Sequence, residues 1–390
     1  MTNEDQDKPE AVPVWDLPTR LYHWGQAALV TLSLLTGFVI PTDWFNVHVV
    51  LGTLIAVLLL FRVVWGLFGT EYSRFASFIF HPREVVDHLG AVIRRTPRPH
   101  LGHNPAGAVM VTVLMAVVAA LIASGYITLG GAYKEGPLAT LFSFATGERA
   151  GGLHSLLAYG LIGLVSLHLL GVLLESRLSG ENLIRAMIDG AKRKTAAKPP
   201  AQPRQAWPLT AGVVMLLVVY AASFGLVWSL RQPPAVLRLP TDPVYKAECG
   251  SCHWAYHPSL LPAASWAKLM AGLEDHFGED ASLKPERAEP IAAWLAAHAA
   301  EQWDTLPAHR LSVLDPAQPY RITATPFWKH RHSHIPPAVL KSIKGGGGAC
   351  NVCHTDADSG RFSFRRIDRS HRQQLQPAAS PPANPTKTTP

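Results

Sequence analysis

The stretch Leu153-His-Ser-Leu-Leu-Ala-Tyr-Gly-Leu-Ile-Gly-Leu-Val-Ser-Leu-His168-Leu-Leu-Gly-Val-Leu-Leu174 is long and apolar enough to cross a bilayer, which needs about 20 helical residues. It contains two histidines, His154 and His168, and no Lys, Arg, Asp or Glu. In an α-helix, the 14 residues between them correspond to about 21 Å along the axis and about 40° around it. One helix therefore presents an imidazole near each membrane surface, both toward the same interior.

The composition of the whole chain is that of a mixed membrane and soluble protein. Of its 390 residues, 48% are hydrophobic and only 16% are charged, which is too apolar for an ordinary cytosolic enzyme. The sequence predicts five membrane spans, near Leu21–Ile40, Val47–Phe68, Gly107–Leu129, Leu153–Leu174 and Pro208–Leu230.

Basic residues are concentrated in alternate loops. The loops between the second and third spans and between the fourth and fifth are rich in Arg and Lys, whereas the opposite loops hold only Lys134 and Arg149. The positive-inside bias then places the N-terminus in the cytoplasm and everything after the fifth span in the periplasm. We therefore expect a multi-pass protein of a bacterial inner membrane. This location of the charge accounts for the net +7 without a nucleic-acid partner.

Histidines of other spans match His154 and His168 in depth. The first span runs outward and the second inward, so His23 lies at cytoplasmic depth and His48 at periplasmic depth. The predicted pairs are His48 with His154 and His23 with His168. Two bis-histidine haems b in a helix bundle need this arrangement. Arg62 lies at the depth of the inner pair, and we predict that it binds a haem propionate; the alternative is snorkelling to headgroups.

Two Cys-x-x-Cys-His runs lie in the last third of the chain. They are Cys249-Gly-Ser-Cys252-His253 and Cys350-Asn-Val-Cys353-His354, and together they contain all four cysteines. Each run is the attachment signature of a c-type haem, in which both thiols bind the porphyrin and the histidine is the proximal iron ligand. The alternative is a tetrathiolate zinc site, but zinc pairs usually lie about 15–20 residues apart and zinc does not explain the histidines.

Two six-coordinate haems c would each need a distal ligand. His276 is the predicted ligand of the first. For the second, the segment Phe327-Trp-Lys-His-Arg-His-Ser-His334 offers three candidates, His330, His332 and His334. The spacing from the run Arg321-Ile-Thr favours His332 as the ligand, and His330 and His334 remain open as alternatives. Methionine is disfavoured because Met270 is the only one in this region.

Several motifs accompany the span histidines. They are Val14-Trp-Asp-Leu-Pro-Thr-Arg-Leu-Tyr-His-Trp24, His48-x3-Gly52, Arg62-x2-Trp65-Gly66, Gly102-His-Asn-Pro105 and Glu181-Asn-Leu-Ile-x-Ala-Met-Ile-x-Gly190. With them, residues 14–194 resemble the bacterial cytochrome b561 and nickel–iron hydrogenase b-type cytochrome superfamily. The resemblance implies haem b on histidines of the first, second and fourth spans, and electron exchange with a quinone pool. The remaining histidines of the first basic loop, His81, His88, His100 and His103, are interpreted as polar loop residues outside the bundle.

The last third carries further motifs, namely Leu261-Pro-Ala-Ala-Ser-Trp266, His276-Phe-Gly-Glu-Asp280 and Arg321-Ile-Thr-Ala-Thr325. Together with the two Cys-x-x-Cys-His runs they resemble the dihaem cytochrome c family that occurs beside or fused to such cytochromes b. The resemblance implies a mostly helical domain with two covalently bound haems.

The predicted fold class is all-α, with a four-helix haem b bundle, a fifth membrane helix and a mostly helical periplasmic dihaem c domain. The predicted segments are an N-terminal cytoplasmic tail (1–20), the b561-type domain (21–194), a cytoplasmic linker (195–207), the fifth span (208–230), the dihaem c domain (231–375) and a disordered tail (376–390).

The predicted function is electron transfer between the quinone pool and a soluble periplasmic redox protein, through two haems b and two haems c. A carrier of this kind needs no catalytic side chain of its own. The alternatives are a superoxide:quinone oxidoreductase acting at the outer haem b, and a haem-based sensor or anchor subunit of a larger complex. The direction of electron flow and the oligomeric state are left open by the sequence.

Overall fold

The computed structural model describes residues 11–39, 44–96, 100–193, 220, 223–225, 242–333, 335–343, 346–363 and 366–368. Within these residues the chain is mostly helical and forms two compact units, each considered by itself below. The predicted linker (195–207), most of the predicted fifth span (208–230), the tail (376–390) and His334 lie outside the described residues.

The first unit is built on four long helices. They are α1 (Leu17–Phe38), α2 (Phe45–Phe68), α4 (Pro105–Gly131) and α5 (Phe144–Ser179), with a shorter α3 (Pro82–Ile93) between α2 and α4. Among the described helices, three are long and apolar enough to cross a membrane, namely α2, α4 and α5. Helix α1 occupies the first predicted span, but its Ser, Thr and Gln residues make it more polar than the other three. The mostly helical class is confirmed, whereas the count of four spans plus one stays a prediction.

A small apolar core joins the four long helices at mid-length. Ile55 on α2, Val118 on α4 and Leu161 on α5 are buried there, with Leu29 of α1 packed against them. On α2, Ile55 lies halfway between His48 and Arg62. On α5, Leu161 lies halfway between His154 and His168. An apolar layer therefore separates the two levels at which polar side chains enter the bundle.

Asp16 ties the start of α1 to the end of α2. Its carboxylate caps α1 by accepting from the Thr19 backbone N–H at 2.7 Å, and it also accepts from the Trp65 indole at 3.0 Å and from the Ser73 hydroxyl at 2.7 Å. An N-cap carboxylate satisfies a backbone donor that the first turn leaves unpaired. The Trp-Asp-Leu-Pro motif is thus a junction between elements as well as a helix start.

The same end of the first unit carries its remaining described elements. A short helix α6 (Leu183–Asp189) leads to strand β2 (Ala191–Arg193), which pairs antiparallel with β1 (Ala11–Pro13) in the register Ala11 to Arg193. This two-stranded ribbon departs from the predicted all-α class. The ribbon places the residues that follow α6 beside the residues that precede α1.

The second unit contains short helices around one core. They are α7 (Pro243–Cys249), α8 (Ala263–Ala271), α9 (Pro285–Ala297), α10 (Leu306–Leu311), α11 (Pro326–Arg331), α12 (Pro337–Ser342) and α13 (Cys350–Cys353). Leu260, Trp266, Ile291 and Leu295 form the buried centre. Residues 130–135 and 139–145, between α4 and α5 in the chain, also belong to this unit. Helices of 4 to 13 residues are marginal alone, so this unit depends on its apolar core for stability.

Candidate haem-binding sites

Eight histidines form four pairs of facing imidazole rings. The distances between ring centroids are 6.5 Å for His23 and His168, 6.1 Å for His48 and His154, 6.0 Å for His253 and His276, and 6.3 Å for His332 and His354. Two imidazoles on opposite sides of one metal ion have centroids about 6 Å apart, since each metal–nitrogen bond is about 2 Å long. The described residues contain no group of three or more His, Cys, Asp or Glu placed to hold a metal. Two imidazoles at this separation fit the two sides of a cofactor that supplies the other metal ligands itself.

Hydrogen bonds to backbone carbonyl oxygens orient the rings of the His48/His154 pair. The Nδ1 atom of His48 lies 3.1 Å from the Ser33 carbonyl oxygen, and that of His154 lies 3.0 Å from the Leu121 carbonyl oxygen. A carbonyl only accepts, so Nδ1 carries the proton in each ring and Nε2 is left to bind a metal.

Glycines make room around the same two rings. A Cβ atom added at Gly37 would lie 3.5 Å from the His48 ring, and one added at Gly125 would lie 3.2 Å from the His154 ring. One turn after His48, a Cβ added at Gly52 would meet no atom within 4 Å. The open space beside the paired rings is what a planar macrocycle would need, so these residues fit a haem b.

Arg62 is inside the first unit and its guanidinium is held by the protein. The residue is 3% exposed, its Nη1 donates to the Ser73 carbonyl at 2.9 Å, and its guanidinium lies 4.9 Å from the Phe75 ring centre. A side chain enclosed in this way does not extend to headgroups, so the geometry disfavours snorkelling. A role at a haem propionate stays a prediction.

His88 is buried on α3, so its interpretation as a polar loop residue was wrong, whereas His103 lies in the loop before α4 and is half-buried there. The His103 ring lies 4.7 Å from those of Trp15 and Phe78, and its Nδ1 is buried with no hydrogen-bond partner among the described residues. Burial lowers the pKa of His103 to about 3, so the ring is neutral. His88 is 6% exposed. The available signal was the Gly102-His-Asn-Pro105 motif, which places His103 directly before a span.

In the second unit, backbone carbonyls again orient one ring of each pair. The Nδ1 atom of His253 lies 2.8 Å from the Trp254 carbonyl, and that of His332 lies 2.9 Å from the Trp328 carbonyl. Burial lowers the pKa of His354 to about 4, which keeps that ring neutral and able to bind a metal.

Two of the three candidates for the second distal ligand are described. Of these, His332 faces His354, whereas His330 is exposed on the last turn of α11. The first distal candidate, His276, lies in a tight turn in which Phe277 has a φ of 59° and Gly278 a φ of 94°. This turn presents His276 to His253.

The four cysteines are free thiols next to these pairs. Cys249 ends α7, and Cys350 and Cys353 lie at the two ends of the one-turn helix α13, so the latter two share a face. Burial raises the pKa of Cys249 and of Cys350 to about 11, so both are protonated at neutral pH. Unpaired thiols beside a facing histidine pair fit the thioether attachment of a haem c.

Comparison with known proteins agrees with both sets of sites. Residues 14–190 match the prokaryotic cytochrome b561 family, and residues 245–362 match the dihaem cytochrome c family. The first part of the chain is therefore similar to the prokaryotic cytochromes b561, and the last third to the dihaem cytochromes c. This cytochrome is therefore a multi-pass membrane protein that carries b-type and c-type haems and transfers electrons.

Probable Ni/Fe-hydrogenase B-type cytochrome subunits match about half of the chain. It is 27% identical over 216 residues to a probable Ni/Fe-hydrogenase B-type cytochrome subunit of Bradyrhizobium diazoefficiens, covering 47% of this chain and 86% of that protein. A protein of the same description from Rhodobacter capsulatus is 25% identical over 223 residues, covering 48% and 85%.

Solved structures similar to about a third of the chain are dihaem cytochromes c. The cytochrome from Rhodobacter sphaeroides is 39% identical and covers 31% of this chain and 97% of that one, with a TM-score of 0.28. The one from Shewanella baltica is 35% identical and covers 33% and 94%, with a TM-score of 0.27.

Proposed function

We propose that this cytochrome transfers electrons between the quinone pool and a soluble periplasmic redox protein, with two haems b in the membrane and two haems c in the dihaem unit. The observation that supports it is the set of four imidazole pairs with centroids 6.0 to 6.5 Å apart. Haem supplies reversible one-electron chemistry when bound, and the protein supplies ligation, orientation and environment.

The residues proposed for each site follow from the pairs. The haem b ligands are His48 with His154 and His23 with His168, and Arg62 is the propionate partner. The first haem c takes Cys249, Cys252, His253 and His276, and the second takes Cys350, Cys353, His354 and His332. His354, whose pKa burial lowers to about 4, is neutral and can ligate iron without first losing a proton.

Facing rings at every site favour a carrier over an enzyme or a sensor. Each pair has both imidazoles in place, so a metal between them would have no open axial position for a substrate or a gas. The test is addition of carbon monoxide to the reduced protein. We expect no change in the visible spectrum, whereas formation of a carbon monoxide complex on one haem would favour the enzyme or sensor alternatives.

The first expected result concerns the number of haems. Acid–acetone extraction removes non-covalent haem b and leaves thioether-bound haem c with the protein. If each chain binds two of each, extraction should remove about half of the total haem, quantified as pyridine haemochrome. Extraction of all the haem, or of almost none, would contradict the proposed count.

A second expected result concerns orientation and the domain organisation that depends on it. We propose four spans within residues 21–194, a cytoplasmic linker at 195–207, a fifth span at 208–230 and a periplasmic dihaem domain after it. An alkaline phosphatase reporter, which is active only outside the cytoplasm, should be active when fused after Pro390 and inactive when fused after Lys194. The opposite pattern would reverse the orientation.

A further inference from the structure

Each ring of the His48/His154 pair has a hydroxyl group next to the carbonyl that orients it. Thr36 Oγ1, on α1, lies 3.1 Å from His48 Nδ1, and Ser124 Oγ, on α4, lies 3.2 Å from His154 Nδ1. Each Nδ1 atom therefore has two oxygen neighbours, one carbonyl and one hydroxyl, and both belong to the helix that packs against the ring.

The two hydroxyls face the rings as acceptors. Thr36 Oγ1 donates its own proton to the Leu32 carbonyl at 3.0 Å, and Ser124 Oγ donates to the Ala120 carbonyl at 2.7 Å. A hydroxyl has one proton to donate and two lone pairs that accept. Because that proton is already used within the helix, each hydroxyl can only accept from the imidazole N–H, which it shares with the carbonyl.

The His23/His168 pair is built differently. The Nδ1 atom of His23 is buried and has no hydrogen-bond partner among the residues that the structure describes. The separation of the rings is nevertheless similar, with centroids 6.5 Å apart against 6.1 Å for His48 and His154. The two pairs therefore differ in the hydrogen bonds that hold their rings more than in their spacing.

This difference acts on the redox potential of a bound haem. A hydrogen bond from the ring N–H to an oxygen makes the opposite nitrogen a more basic metal ligand. Ferric iron carries one more positive charge than ferrous iron, so a more basic ligand stabilises the ferric form and lowers the midpoint potential. Hydrogen bonding around the axial ligands is one of the ways in which a protein sets this potential.

Fixed charges at the other end of the bundle have both signs. Arg62 donates to the Ser73 carbonyl, and the Asp16 carboxylate accepts from the hydroxyl of the same serine. The Lys192 ammonium is likewise attracted by Glu175. Opposite charges that lie this close offset each other at a distance, so the hydrogen bonds to the ligand rings decide the order of the two potentials.

We propose that Thr36 and Ser124 are positioning residues that lower the midpoint potential of the haem b at His48/His154 below that of the haem b at His23/His168. The inference rests on the ligation proposed above. An electron shared between the two haems b is then held mainly at the His23/His168 site. Transfer within the bundle is therefore favourable from the His48/His154 level to the His23/His168 level.

The order of the potentials is tested by optical redox titration of the full-length, detergent-solubilised protein, in which the haem b bands are followed separately from those of haem c. We expect two haem b transitions in the unchanged protein. The lower one should be missing in His48→Leu and in His154→Leu, and the higher one should be missing in His23→Leu and in His168→Leu.

Two further variants test the hydroxyls themselves. Thr36→Val and Ser124→Ala each remove one acceptor and leave the carbonyl in place, so each should raise the lower potential and leave the higher one unchanged. The double variant should give the larger shift. Thr31→Val is the matched control, because Thr31 is an exposed residue of the same helix α1 whose hydroxyl donates only to the Ala27 carbonyl, at 2.8 Å.

Pyridine haemochrome quantitation of each variant distinguishes this proposal from the proposed function. Equal potentials, the reverse order, or hydroxyl variants that shift the potential no more than Thr31→Val does would overturn the proposal while the ligation stands. Binding of fewer than two haems b by the unchanged protein would contradict the ligation itself, and with it this inference. If a hydroxyl variant lost its haem, the order of the potentials in the four histidine variants would still decide.

Discussion

Replacing His48 or His154 by leucine should cost this cytochrome one of its two proposed haems b, and the same one in both variants. The two rings face each other at 6.1 Å, and each is oriented by a carbonyl hydrogen bond on its far side. Leucine removes one axial ligand in a setting where no water easily replaces it. The loss is measured by haemochrome quantitation and by low-temperature spectra of the reduced protein, which separate the two haems b.

Variants of the second histidine pair, His23 and His168, provide the comparison for the first. His23→Leu and His168→Leu should both remove the second haem b and leave the first, because their rings form the other pair at 6.5 Å. His81→Leu, at the exposed start of α3, should leave both. If His48→Leu and His154→Leu lost spectrally different haems, or if both kept two low-spin haems b, the pairing by depth would be wrong.

The second large effect is expected at the distal position of the second haem c. His332→Ala should convert one haem c from low-spin to high-spin while leaving it covalently attached, since Cys350, Cys353 and His354 are untouched. An open axial position then binds carbon monoxide, which gives a measurement in addition to the spin state. His276→Ala should do the same to the other haem c.

His330→Ala is the matched control for His332→Ala. The two histidines are two residues apart, but only His332 lies opposite His354, with ring centroids 6.3 Å apart. Both haems c should therefore stay low-spin in His330→Ala. A high-spin haem in that variant, together with an unchanged spectrum in His332→Ala, would transfer the ligand role to His330.

The bundle pairs could be predicted from sequence because helix geometry is fixed. A helix rises about 1.5 Å per residue, so the 14-residue separation on α5 sets two depths, and the alternation of spans assigns the other histidines to them. The attachment motifs for haem c were equally local. For His332 the spacing gave a preference, and the comparison of His332 with His330 needed the position of His354 in space.

Other features depend on contacts between distant parts of the chain. The partial burial of the His103 ring depends on Trp15 and Phe78, which approach it only once the helices pack. The contact between Ser124 and His154 joins residues 30 positions apart, and Ser124 lies in none of the sequence motifs.

The central claim is that one chain connects a quinone to the dihaem unit through the haems of the helix bundle. Stopped-flow absorbance tests it most directly, by mixing the oxidised, purified protein with excess quinol and following the haem b and haem c bands separately. We expect both haem b and haem c to become reduced, and we expect His48→Leu to slow haem c reduction strongly while leaving the haem c content unchanged. Reduction of haem c at an equal rate in His48→Leu, or failure of quinol to reduce any haem, would contradict it.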